Sequence, residues 1–183
     1  MARSSFLGAL AGAALDLLAS ATRKRGSDRD TPPRRERKRP GDLPSLSGTD
    51  TVELNPHGVP SLRLTYAPDR DGDPDAGEVV WTWVPYAEGD GRGKDRPVLV
   101  IGRQSADRVY AVKLTSKSKE GDREFLPLGS GPWDARGRDS WVDLDQLYSV
   151  HVAGMRREAA TLDLDRFTRV AHALQQRYGW RAG

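Results

Sequence analysis

The chain has no cysteine, only three histidines and two methionines, and an aromatic content of 7%. Without cysteine there are no disulfides, thiolate metal sites or thiol nucleophiles, a composition compatible with the reducing cytoplasm in which we expect the protein to act. His57, His151 and His172 are scattered along the sequence. They form no apparent acid–base pair, and each reads as a surface or capping residue. A nucleophile elbow, a phosphate-binding P-loop and a dinucleotide fingerprint are also missing. So is an uninterrupted apolar run of the ~20 residues a membrane span requires. Ser5 to Ala21 is apolar and alanine-rich, but Asp16 breaks it and Arg23, Lys24 and Arg25 follow it. A secretory signal places its positive charge ahead of the apolar run, where this chain has only Arg3. The segment reads as a short helix over residues 5–21, frayed or partner-bound, with membrane-surface contact as the secondary reading.

What is present divides the chain near residue 50. Residues 1–50 hold ten Lys/Arg against six Asp/Glu, and residues 51–183 hold 19 against 20, so the tail carries the whole positive excess. Residues 22–42, with nine basic and four acidic side chains and Pro32, Pro33 and Pro40, have the composition of an extended, solvated linker. Such an arm either only spaces or adds sequence-independent attraction to phosphates. Residues 51–76 read as an extended lead-in containing an edge strand over 61–66, joined to the body by the polar turn Pro68 to Ala76.

From Gly77 onward, short runs of Val, Ile, Leu, Trp and Tyr are separated by Gly, Pro, Asp and Lys clusters, which is strand punctuation. Strands are expected over Glu78–Pro85, Pro97–Arg103, Val109–Thr115, Glu124–Leu128 and Trp141–Val150, enough to curl into a small barrel. Alternation assigns Trp81 and Trp141 to the barrel filling. One amphipathic helix closes the chain, with Leu164, Phe167, Val170, Ala171, Leu174 and Tyr178 at three- and four-residue spacing. Asp163 is its expected cap and Gly179 its end. The fold class is therefore mostly β: a small barrel with a C-terminal α-helix, behind a disordered basic tail.

Two clusters could carry chemistry. The run DRDGDPD places Asp69, Asp71, Asp73 and Asp75 at alternate positions, as a calcium loop begins. Counting from Asp69, however, Pro74 and Val80 stand where that loop needs glycine and glutamate. It reads as a solvated acidic turn, and no metal is expected. Residues 92–123 hold nine Lys/Arg against four Asp/Glu, spread over the loops GDGRGKDRP and LTSKSKEGDRE. Lys, Arg, Ser and Thr beside a tryptophan-rich sheet suit a single-stranded nucleic acid, with cations on phosphates and rings on bases. Trp83 and Trp133 are the candidate stacking rings.

The ordered set GEVVWTWVPY, GRGKDRPVLVIGRQ, AVKLTSK and RDSWVDLDQLYSV resembles the PemK/MazF toxin family from end to end, over residues 77–178. The resemblance implies an SH3-like barrel of the CcdB/MazF type. It also implies metal-independent, cofactor-free cleavage of single-stranded RNA, in which the ribose 2′-hydroxyl attacks its own phosphate and leaves a cyclic phosphate and a 5′-hydroxyl. Arg96, before Pro97, matches the family's active-site arginine, and Thr115 matches its active-site hydroxyl residue. An arginine is a strong clamp for phosphoryl charge and a poor general base. The group that removes the 2′-proton stays open. Lys94, Ser116, Lys117 and Lys119 are candidate RNA contacts by their nearness in sequence. The partners the resemblance implies are RNA, a second copy of the chain and an antitoxin that occupies the RNA groove. A non-catalytic binding module, like the gyrase-poisoning toxins of the same fold family, is the alternative.

Overall fold

The computed structural model describes residues 48–69, 73–86 and 90–183. The helix expected over 5–21 and the basic linker over 22–42 lie outside the described residues. In chain order the strands are β1 (Val52–Leu54), β2 (Arg63–Leu64), β3 (Glu78–Pro85), β4 (Gly93–Arg103), β5 (Arg108–Thr115), β6 (Phe125–Gly129), β7 (Ser140–His151) and β8 (Met155–Thr161). Helix α1 (Leu164–Tyr178) and β9 (Arg181–Ala182) follow. The main sheet runs β1-β7-β5-β4-β3-β8, with β6 also paired to β7, while β2 and β9 form a separate parallel pair.

All five expected strands are present, as β3 to β7, and one boundary shifts by more than a residue. β4 begins at Gly93 rather than Pro97, because residues 93–96 pair with β3 through Pro85↔Gly93 to Thr82↔Arg96. Gly93 has to be glycine for space: a Cβ there would fall 2.4 Å from the Trp83 ring. The edge strand expected over 61–66 contracts to Arg63–Leu64 and joins β9. Its neighbours' amides are committed elsewhere, Thr65 N to Ile101 O and Ala67 N to Ala76 O. Strands β1, β8 and β9 were not expected. β1 and β9 have only three and two residues, too short for period-two alternation to register.

The sheet has two apolar faces. One carries Val79, Leu99, Ile101, Val112, Leu114, Val142 and Leu147, packed with Phe167, Val170 and Leu174 of α1. Burial of those three helix side chains supplies roughly 1.5–3 kcal/mol each. Asp163 caps the helix by accepting from Arg166 N at 2.9 Å. Gly179, at φ 71°, ends it in the left-handed conformation that glycine adopts without strain. Leu164, expected in the buried stripe, lies in the first turn and is 55% exposed. The other face lines the inside of the curl with Val80, Val84, Val98, Val100, Val109, Ala111, Tyr148 and Val150. The curl stops short of a closed hydrogen-bonded ring. Its ends are bridged by side chains, Thr51 Oγ1 with Thr82 Oγ1 at 3.0 Å and Thr82 Oγ1 donating to Gly154 O at 3.1 Å.

The tryptophans are distributed differently from the alternation argument. Trp81 and Trp141 are only half-buried. Trp133, a candidate stacking ring, is 4% exposed and donates its Nε1–H to Ser140 Oγ at 3.1 Å, so it is a core residue. Trp83 is 39% exposed.

Candidate functional site

Arg96, Lys113, Gln146 and Tyr148 converge because three strands, β4, β5 and β7, place them on the inner face of the curl. Arg96 pairs with Thr82 across β3 and β4. Lys113 pairs with Val98, two residues along from Arg96 on the same face. Tyr148 pairs with Ala111, two residues from Lys113. Gln146 arrives by an irregularity. Between Leu114↔Val142 and Val112↔Leu147, β7 advances five residues where β5 advances two. Residues 143–146 therefore bulge, and a bulge re-aims side chains. This one turns both Asp143 and Gln146 toward Lys113, which lies 3.2 Å from Asp143 Oδ2 and donates to Gln146 Oε1.

These residues line a cleft of about 430 Å³ together with Val84, Pro85, Tyr86 and Arg92. Tyr86 N donates to Arg92 O at 2.9 Å, closing the β3–β4 hairpin at the mouth. Three of the lining side chains are cations and none is a carboxylate. Arg92 is held on the rim by Asp90 at 2.7 Å. The Arg96 guanidinium makes no hydrogen bond or ion pair with any described residue, and its donors are free for a ligand. The Tyr148 hydroxyl donates to Gln146 Oε1 at 3.0 Å. Burial pushes its pKa well above the ordinary tyrosine range, the carboxylates of Glu53 and Asp143 push it further, and Arg96 opposes them. The phenol is thus a fixed hydrogen-bond donor. The arrangement offers cations, an aromatic wall and oriented neutral donors, suited to a phosphate-bearing chain.

Of the residues singled out in the sequence, Arg96 lies in the cleft. Thr115 is half-buried at the end of β5, outside the lining, and its Oγ1 accepts from Lys117 N at 3.2 Å. Lys94 is exposed on β4 opposite Val84. Ser116 and Lys117 belong to the turn after β5. Lys119 is engaged by the Phe125 ring at 3.9 Å and by Asp122 at 3.5 Å. Part of the acidic run, residues 70–72, lies outside the described residues, and Asp75 pairs with Arg103 at 3.5 Å. Sequence reasoning missed Arg92, Lys113, Gln146 and Tyr148. Alternation in DQLYSV could have paired Gln146 with Tyr148 on one face, but the meeting of Gln146 with Lys113 depends on the bulge.

Residues 75–178 match a family model described as PemK-like, MazF-like toxin of type II toxin-antitoxin system. Among solved structures, MazF (Form-I) from Deinococcus radiodurans is 25% identical, with 58% of this chain and 97% of that chain covered and a TM-score of 0.46. MazE-MazF (Form-II) from the same organism is 24% identical over 58% of this chain and 96% of that chain, with a TM-score of 0.42. Mycobacterium tuberculosis toxin MazF-mt6 is 17% identical over 55% and 97%, with a TM-score of 0.40. No curated protein gives a match.

Proposed function

The chain belongs to the family of PemK-like, MazF-like toxins of type II toxin-antitoxin systems, and from that premise we propose that it is an endoribonuclease that cuts single-stranded RNA at the Arg96 cleft. The observation that carries the reading is the Arg96 guanidinium, without a hydrogen bond or ion pair among the described residues, in a cleft whose other charges, Arg92 and Lys113, are also positive. In-line attack of a ribose 2′-oxygen on the adjacent phosphorus builds charge on the non-bridging oxygens, and a preorganised arginine fork stabilises that charge as it develops. Lys113 is paired with Asp143 at 3.2 Å, which offsets much of its charge, so contact with the phosphate falls chiefly to Arg96. Tyr86 offers a ring at the mouth for a base. Thr115 acts through the turn it closes with Lys117 N, which sets the loop bearing Ser116 and Lys117 beside the strand ends.

The family assignment further supports an antitoxin as physiological partner, a second copy of the chain as companion, and action in the cytoplasm on messenger RNA. A second reading, RNA binding without cleavage, is favoured by one observation: the hydroxyl of Thr115 is engaged by backbone and lies outside the cleft lining.

The test is incubation of purified protein with a long single-stranded RNA in EDTA, beside Arg96→Ala and a DNA of the same sequence. Site-specific cuts in RNA only, absent with folded Arg96→Ala, are the expected result. Intact RNA that is nonetheless bound in a salt-dependent way would replace the enzyme with the binding module.

A further inference from the structure

The cleft holds no obvious acceptor for a proton near neutral pH. Arg92, Arg96 and Lys113 are cations, the Tyr148 phenol is committed as a donor, and a threonine hydroxyl is far too weakly acidic to serve as a bulk base. Two carboxylates stand directly behind the lining: Asp143, which is paired with Lys113, and a second one. The second comes from a part of the chain outside the family-matched residues 75–178.

That second carboxylate is Glu53, on β1. It is the cross-strand partner of Tyr148, and its Oε1 accepts from Gln146 Nε2 at 3.4 Å. Gln146 turns its amide oxygen to the Tyr148 hydroxyl and Lys113. Glu53 is exposed while the next residue, Leu54, is 3% exposed in the helix-side core. The alternation of a strand therefore directs Glu53 to the cleft side. β1 is well anchored. The buried Arg108 donates to Gly48 O at 2.6 Å, to Asp50 O at 3.3 Å and to Ser149 Oγ at 3.0 Å, and Thr51 is bonded to Thr82. Gly154 permits this approach, since a Cβ there would lie 2.6 Å from Thr49 O.

We propose that Glu53 is the catalytic base of the cleft, the group that takes the ribose 2′-proton. The inference rests on the endoribonuclease reading above. In the step, the carboxylate accepts the 2′-proton, the O2′–P bond forms, and the P–O5′ bond breaks. The departing 5′-oxygen is protonated by water, and the hydroxide so formed returns Glu53 to its carboxylate. Arg96 faces the phosphoryl oxygens. The charged groups around Glu53 are Lys113 of β5, Asp143 of β7 and, across the Tyr148 phenol, Arg96 of β4. Partial withdrawal from water raises the Glu53 pKa, Lys113 lowers it, Asp143 raises it and the Gln146 hydrogen bond lowers it, for a net rise above the ordinary carboxylate range. A carboxylate of raised pKa is a stronger base.

The experiment uses full-length wild type, Glu53→Gln, Glu53→Ala and Arg96→Ala, with single-stranded RNA cleavage measured in EDTA across a pH series and folding checked by thermal melts. Glu53→Gln keeps an acceptor for the Gln146 amide and removes only the proton acceptor. We expect its kcat to fall about 100-fold or more, with KM unchanged and the acidic limb of the pH profile gone. A Glu53→Gln protein as active as wild type, with its acidic limb intact, overturns the proposal. So does loss of activity confined to Glu53→Ala, which would make Glu53 a positioning residue. If Arg96→Ala is dead while Glu53→Gln cleaves normally, the nuclease reading stands without this base. If wild type leaves RNA intact, that reading falls and takes the proposal with it.

Discussion

Lys113 Nζ lies 3.2 Å from Asp143 Oδ2, with the lysine side chain 18% and the aspartate side chain 7% exposed. A bulge in one strand has thereby brought a cation and a carboxylate together beneath the cleft, and neither can be removed without leaving the other's charge in a poorly solvated place. Lys113→Met should cost about 3 kcal/mol of stability, and adding Asp143→Asn should recover most of it. Urea denaturation of the two single variants and the double variant measures the coupling. Losses that simply add would show that the two charges do not depend on each other.

The Arg96 fork makes a sharper demand than charge. Arg96→Lys keeps the cation and loses the bidentate donor geometry, so kcat for RNA cleavage should fall about 100-fold, as for removal of one oxyanion donor. Low-salt RNA affinity should change little. Parallel cleavage and filter-binding titrations separate the two effects.

Tyr148 predicts an alkaline instability. Its phenol titrates above the ordinary tyrosine value of 10.0 in the folded chain, as do those of Tyr110 and Tyr178. Above about pH 10 the unfolded chain therefore holds fewer protons than the folded one, and stability falls as pH rises. Below that window the phenols are neutral in both states and contribute no slope. Tyr148→Phe should flatten the fall, which denaturant titrations at successive alkaline pH values will report.

Arg108 is 3% exposed and its donors end on backbone carbonyls and Ser149. Arg108→Leu should cost about 2–3 kcal/mol through acceptors left without partners. It should also loosen the chain over residues 48–54. Hydrogen exchange is the direct readout: amides of Val52 to Leu54 should lose protection before those of β5 or β7 do.

Gly102 faces Arg63 O so closely that a Cβ there would sit 2.4 Å away. Because the obstacle is backbone rather than a flexible side chain, Gly102→Ala should push β2 from β4 and destabilise by roughly 1–3 kcal/mol. A melt indistinguishable from wild type would mean that β2 is free to shift.

Much of the fold was legible in the sequence because period-two alternation and turn residues report local structure. β3 to β7 and α1 follow from them, and so does the helix cap at Asp163. The short strands β1 and β9 are held by partners distant in sequence, and β1 by the carbonyl grip of Arg108. No local signal announces them. Trp133 shows the same limit from the other side: it reads as a candidate stacking ring, yet its indole has a buried acceptor in Ser140. In the candidate site, Arg96 was readable as a candidate from its place before Pro97 in an ordered family pattern. Lys113 and Gln146 were not, since their meeting depends on a register shift.

The sequence by itself determined the residue chemistry, the succession β3 to β7 and the family pattern, because these are written in local order and composition. The tertiary structure decided which cations share a cleft, which tryptophans are core, and that Glu53 stands across from Tyr148. Those outcomes depend on strand register and on the curl of a twisted sheet. A shift of one residue in register turns every side chain to the opposite face.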